Sequence, residues 1–263
     1  MIEKLTFVFI LTMIIHTSET LSYAIRFAGV KLNKIAVALS LTGIIVLVSR
    51  TANLLQAPLT AKFVDFARSN ADFPLIQYMR IILLASSVGT LIAIALFPTF
   101  VSVFSRIIAK LEVAGSIPKL ISSVTVGQLK NTKYYLRKPA FSLYYFRYLG
   151  IPYRLIIMNV FVTAFYTVGV MASLYTAHLL PAFSTTASQA SGIINGIATI
   201  LLTIFIDPQL GLITDKALQH EQYRNQLGKV YVVLMTSRFI GTMLGQFIMI
   251  PAAYFIGMVV KLL

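Results

Sequence analysis

Residues 76–97 read IQYMRIILLASSVGTLIAIALF. Coiled as an α-helix rising 1.5 Å per residue, this stretch is about 30 Å long, the thickness of the hydrocarbon core of a bilayer. From Ile81 to Phe97 it carries no charge. Its apolar residues come in blocks and do not alternate with polar ones, so it is no barrel strand. In lipid only helices and closed barrels satisfy their own backbone hydrogen bonds. The stretch is therefore read as a membrane-crossing helix. Working outward, five further blocks have the same character: 5–25, 35–59, 155–180, 189–206 and 230–260. The last is long enough to require tilt, or a break near Pro251.

The composition agrees. Hydrophobic residues make up 58% of the 263 and charged residues 11%, against roughly 25% charged in a soluble domain. The fold class is an all-α membrane protein of about six transmembrane helices. The net charge of +14 would ordinarily raise nucleic acid as a partner. Here the positive charge sits mainly between the apolar blocks, where it sets topology and meets anionic lipid, and no nucleic-acid partner is expected. Cysteine is absent, which removes disulfides, thiolate metal sites and a cysteine nucleophile. The first block lacks a basic leader and carries His16 and Glu19, so it is not read as a cleavable signal peptide.

Most of the 22 basic residues fall in the first, third and fifth loops, including Lys31, Lys34, Arg106, Lys110, Arg154 and Lys216. The positive-inside rule then puts both termini outside and the long basic loop in the cytoplasm. That loop, 111–153, interleaves bases with Tyr134, Tyr135, Phe141, Tyr144, Tyr145, Phe146 and Tyr148. Rings at headgroup level and bases beside anionic lipid would make it an interfacial collector of membrane lipids; the alternative is a solvated topology determinant.

The halves 1–110 and 154–263 look related. Thr42-Gly43-Ile44-Ile45, then Pro58 and Asp65, is matched by Ser191-Gly192-Ile193-Ile194, then Pro208 and Asp215, with the same proline-to-aspartate spacing. Gly89-Thr90 with Pro98 is matched by Gly241-Thr242 with Pro251. Two consecutive three-helix units must insert with opposite orientation. The expectation is two inverted three-helix repeats, with a site near the midplane between them.

Polar groups inside the spans carry the functional argument, because a charge at the bilayer centre costs about 2.5–3.5 kcal/mol on insertion scales. His16, Glu19, Tyr23 and Arg26 share one face of the first span at helical spacing. They are expected to serve ion coupling, or to form a structural ion pair. Arg50 with Asn53 and Gln56 in the second span offers a guanidinium that matches phosphate, or else a charge pair with Glu19. Arg238, Thr242 and Gln246 form a stripe in the sixth span, beside Gly241 and Gly245, which permit close backbone approach. Arg238 repeats the phosphate logic, or snorkels to the headgroups. Asn195 adds a carboxamide in the fifth span, where Ser188, Gly192 and Gly196 read as a packing seam. Pro58, Asp207, Pro208 and Asp215 are candidate gate or hinge residues, with plain helix termination at Pro208 the simpler account.

Three runs resemble the Amj family of bacterial alternate lipid II flippases. They are Glu19-Thr20-Leu21-Ser22-Tyr23-Ala24 with Arg26, Val48–Asn53 through Pro58, and Gln189–Thr199 followed by Asp207-Pro208. The resemblance weakens between Glu112 and Arg147. It implies a multi-pass protein of the bacterial cytoplasmic membrane that carries lipid II, an undecaprenyl diphosphate bearing a disaccharide-pentapeptide, from the inner to the outer leaflet. On that reading Arg50 and Arg238 neutralise the diphosphate, while Asn53, Gln56, Asn195 and Gln246 hydrogen-bond sugar or peptide. Glu19, His16 and Arg26 serve coupling. No phosphate-binding loop is present, so no nucleotide or other cofactor is expected. The scattered His16, His178 and His220 and the eight acidic residues form neither a metal site nor a phosphatase constellation, which argues for a transporter over an enzyme. The competing reading is a cation-coupled exporter of small amphiphiles with Glu19 as proton carrier.

Overall fold

The computed structural model describes residues 1–116, 119, 137 and 151–263, and all regular structure among them is helical. Three long helices come first: α1 (Ile2–Lys31), α2 (Ile35–Ser69) and α3 (Leu75–Ala114). After the long loop, α4 (Tyr153–Leu179) leads to a fifth span built in pieces. These are a 3-10 turn (Pro181–Phe183), α5 (Ser184–Gln189), α6 (Ser191–Leu201), a π turn (Leu202–Ile206) and α7 (Asp207–Gln219). The last helix is α8 (Glu221–Leu262). Six segments among the described residues are long and apolar enough to cross a membrane, as the sequence predicts. The basic aromatic segment 130–150 lies outside the described residues, Arg137 excepted.

Local chemistry sets the joints. Only Leu32, Asn33 and Lys34 join α1 to α2. Asn33 takes a left-handed φ of 56°, which asparagine tolerates better than most residues. The Lys34 amide donates to the Gly29 carbonyl at 2.8 Å. A Cβ on Gly29 would lie 2.3 Å from the Ala38 Cβ, so only glycine lets this corner close. Helix α3 ends on Gly115, at φ 73°, whose amide donates to the Leu111 carbonyl.

Helix α1 packs on α2 and α3, and α4 packs on α6 and α8. These two trios meet chiefly where α8 lies along α3, with smaller contacts of α1 on α8 and α2 on α4. The closest approaches use glycine in both trios. A Cβ on Gly89 would sit 2.4 Å from the Met13 carbonyl oxygen, and one on Gly241 would sit 2.5 Å from that of Val160. The interior divides in two. One cluster, around Ala28, Ile108, Leu155 and Leu234, fills the end beside the α1–α2 turn. The other, around Val8, Phe63, Met79 and Ala253, fills the end beside the chain termini.

Two local expectations are corrected, and of the two alternatives for the last span the break near Pro251 is not taken. Helix α8 runs unbroken through Pro251, as α2 does through Pro58; a proline removes one backbone donor, and local adjustment absorbs that loss within a membrane helix. Pro208 does not end a helix either. It opens α7, where its missing N–H costs little, and the π turn before it takes up the change in register. Gly192 and Gly196 form no packing seam, since a Cβ at either would meet nothing within 4 Å. Gly241 and Gly245, by contrast, do stand against α4, beside Val160, Thr163 and Val168.

Candidate functional site: a charged hollow at mid-depth

A cavity of about 330 Å³ lies between the two trios. Its walls come from the middle of α1, the first two-thirds of α2, the middle of α4, and Arg238 near the midpoint of α8. The fifth span closes it with Asn195, Leu202, Ile206, Asp207 and Leu210. Along α2 the lining runs from Thr42 to Gln56, so the hollow extends from mid-depth toward the end carrying the α1–α2 turn. At that volume it accommodates several waters, each needing about 30 Å³. Among the described residues α2 and α6 hardly touch each other, although both flank the hollow. Both show apolar side chains outward, Leu47 and Leu54 on α2 and Ile197 and Ile200 on α6.

All four members of the α1 stripe, His16, Glu19, Tyr23 and Arg26, line this hollow. Glu19 is its electrostatic centre. One carboxylate oxygen, Oε2, lies 3.2 Å from Arg238 Nη2, and the other, Oε1, accepts from the Ser49 hydroxyl at 2.9 Å. Glu19 therefore pairs with Arg238 and not with Arg50. Neither partner is sealed: the side chains keep 19% (Arg238) and 38% (Glu19) of their surface. Arg238 thus lies in the wall of the hollow beside Glu19, near the midpoint of α8. Arg50 and Arg26 also line the hollow, and neither forms an ion pair among the described residues. His16 is buried, with Nδ1 lacking a partner.

Deeper in, Gln56 is buried and donates to Thr12 Oγ1 at 3.3 Å. Asn53 lies one turn from Arg50 on the lining. The Asn195 Oδ1 is buried without a partner and lies over Gly169, where a Cβ would approach it to 2.1 Å. Two stripe members of α8 lie elsewhere. Thr242 accepts from Ser87 at 3.0 Å in the α3–α8 contact, and Gln246 donates to the Arg80 carbonyl at 3.0 Å. Neither lines the hollow, and neither do Pro58, Pro208 or Asp215, whereas Asp207 does.

Sequence reasoning missed two features. Asn159 is buried in the cavity wall and donates to the Leu234 carbonyl at 2.9 Å and to Ser237 Oγ at 2.7 Å, clamping α4 to α8. An asparagine inside an apolar span was the available signal. At the end beside the chain termini, Arg68 of α2 reaches across to the Ala177 carbonyl and the Ser184 hydroxyl. It ties the first trio to the second at that end.

Six membrane-crossing helices in two trios, with charged groups collected in an accessible hollow at mid-depth, define a multi-pass membrane transporter. The family described as "Amj: Alternate to MurJ" matches residues 11–260, and the chain belongs to it. Over 261 residues it is 40% identical to the lipid II flippase Amj of Bacillus subtilis (strain 168), covering 98% of this chain and 97% of that protein. No solved structure matches the chain.

Proposed function

We propose that this chain is a lipid II flippase of the bacterial cytoplasmic membrane. The name of its Bacillus subtilis relative supports the substrate. The observation that carries the mechanism is the mid-depth hollow, in which Glu19 neutralises Arg238 while Arg50 and Arg26 stay unpaired among the described residues. A diphosphate brings negative charge on oxygens that match paired guanidinium donors. Arg50 and Arg26 receive it first. Arg238 joins when Glu19 gives it up, by protonation or by swinging to Ser49 alone. Asn53, Gln56 and Asn195 then face sugar or peptide, and His16 stands beside Glu19 as a proton relay.

The polyprenyl tail stays in the bilayer, passing between α2 and α6, which both flank the hollow and have little contact with each other. The hollow lies at the small end of the 300–1,000 Å³ typical of small-ligand pockets, so the trios must part to admit the whole headgroup. On the topology proposed here the termini are extracytoplasmic and the hollow opens toward the cytoplasm. The two trios act as inverted repeats that rock against each other, Arg68 latches the outer side, and the basic loop gathers anionic lipid. Asp207 and the π turn before Pro208 form a hinge.

The test is translocation of labelled lipid II across liposomes holding the full chain. Transfer is expected with wild type and lost with Arg50→Ala at normal protein level. Absence of transfer by wild type, with small cationic amphiphiles moved instead, would replace the flippase with an exporter.

A further inference from the structure

A second hollow, of about 630 Å³, lies on the far side of α7 from the first. Leu210 and Asp207 of α7 face the central cavity, while Leu212, Ile213 and Lys216 face the outer one. The helix is thus a partition with a cavity on each side, hung from the π turn at Leu202–Ile206. The outer hollow is walled by apolar side chains, among them Leu212, Leu227 and Val230, and carries two cations, Arg154 and Lys216. Neither forms an ion pair or hydrogen bond among the described residues. Gln209, also in the wall, has a buried Oε1 with no partner among the described residues. The hollow lies at the end toward which the central cavity extends, since Leu227 and Val230 belong to the cluster packed beside the α1–α2 turn.

We infer that this outer hollow is a capture site for the diphosphate of a polyprenyl-linked lipid, occupied before the lipid passes α7 into the central cavity. The inference rests on the flippase reading and extends it to a second binding step. Two unpaired cations beside an apolar wall complement an anionic diphosphate joined to an isoprenoid chain. A site for bulk phospholipid would not need a partition shared with the translocation cavity.

The experiment uses the full chain in phosphatidylcholine nanodiscs. Leu212→p-benzoylphenylalanine places a photocrosslinker in the outer hollow, and undecaprenyl diphosphate is the probe. Crosslinking is expected to fall by about tenfold in an Arg154→Gln/Lys216→Gln background, the equivalent of about 1.4 kcal/mol. It should persist with Arg50→Gln, return with Arg154→Lys/Lys216→Arg, and resist excess phosphatidylglycerol. Unchanged crosslinking in the double variant, or displacement by phosphatidylglycerol, overturns the capture site. If wild type crosslinks as expected but does not translocate lipid II, the flippase reading fails and the lipid-diphosphate site stands. If it translocates without the crosslink pattern, only the capture site fails.

Discussion

Replacing Glu19 by glutamine should tighten diphosphate binding, although it removes a group from the proposed substrate cavity. Coulomb's law at the observed 3.2 Å separation from Arg238 gives about 5 kcal/mol at an effective dielectric of about 20, and about 1.3 kcal/mol in bulk water. With 19% and 38% of the two side chains exposed, the upper figure is a ceiling. After desolvation the pair contributes about 1–2 kcal/mol. A diphosphate recruiting Arg238 from wild type must overcome that contribution, whereas in Glu19→Gln the guanidinium is already free. Binding of undecaprenyl diphosphate to the variant, measured by titration in nanodiscs, should therefore tighten by about tenfold, since 1.4 kcal/mol is one decade. Arg238→Gln should weaken it. A double-mutant cycle on unfolding should return a Glu19–Arg238 coupling of about 1–2 kcal/mol. The reasoning is refuted if Glu19→Gln weakens binding as Arg238→Gln does, or if the coupling vanishes.

Gly241→Ala drives a methyl group to 2.5 Å from the Val160 carbonyl oxygen and should cost about 1–3 kcal/mol. Gly192→Ala meets open space and should leave stability unchanged or raise it by up to about 1 kcal/mol; melting temperatures of the two variants, measured side by side, test the contrast. Asn159→Leu strips the two hydrogen bonds that clamp α4 to α8 and should destabilise the fold by about 1–3 kcal/mol, read by denaturant titration. Arg68→Gln removes the tie to Ala177 and Ser184. Because the chain has no cysteine, a single cysteine at buried Ala187 can report the result: its labelling by a membrane-impermeant maleimide should rise in the variant and stay low without it.

The spans were legible because lipid leaves so few solutions to backbone hydrogen bonding; a run such as Ile81–Phe97 has almost no alternative. The α1 stripe was legible for a similar reason, since a spacing of three and four fixes a common face whatever the neighbours are. What packs against that face is not fixed by local spacing. Arg50 was the candidate partner for Glu19, and it is the placement of α8 across α1 that gives Glu19 Arg238 instead. The same holds for Gln246, whose spacing put it in line with Arg238. Helix α8 turns that position toward Arg80, two turns beyond the hollow. Glycines were ambiguous too: Gly192 and Gly241 both follow a small-residue pattern, yet only Gly241 has a backbone against it.

The charge inventory of the central hollow explains why the fold tolerates it. Three arginines, Arg26, Arg50 and Arg238, share the lining with two acids, Glu19 and Asp207. A fully matched cavity would bind an anion only by breaking pairs, whereas one stocked with arginine alone would add an insertion cost of about 2.5–3.5 kcal/mol per charge. The arrangement lies between these limits. Glu19 pairs with the arginine nearest mid-helix in α8, and the two arginines on α1 and α2 are left to whatever fills the hollow. The proposed substrate then relieves a cost already built into the empty protein, and the differential binding that drives closure comes from that relief. On this argument Arg26 and Arg50 set how readily the diphosphate enters, while the Glu19–Arg238 pair sets how tightly it is then held and so whether it is released. Arg26→Gln and Arg50→Gln should therefore weaken binding, whereas Glu19→Gln should tighten it and lower the maximal translocation rate, and a Glu19→Gln variant that translocates faster than wild type would contradict it.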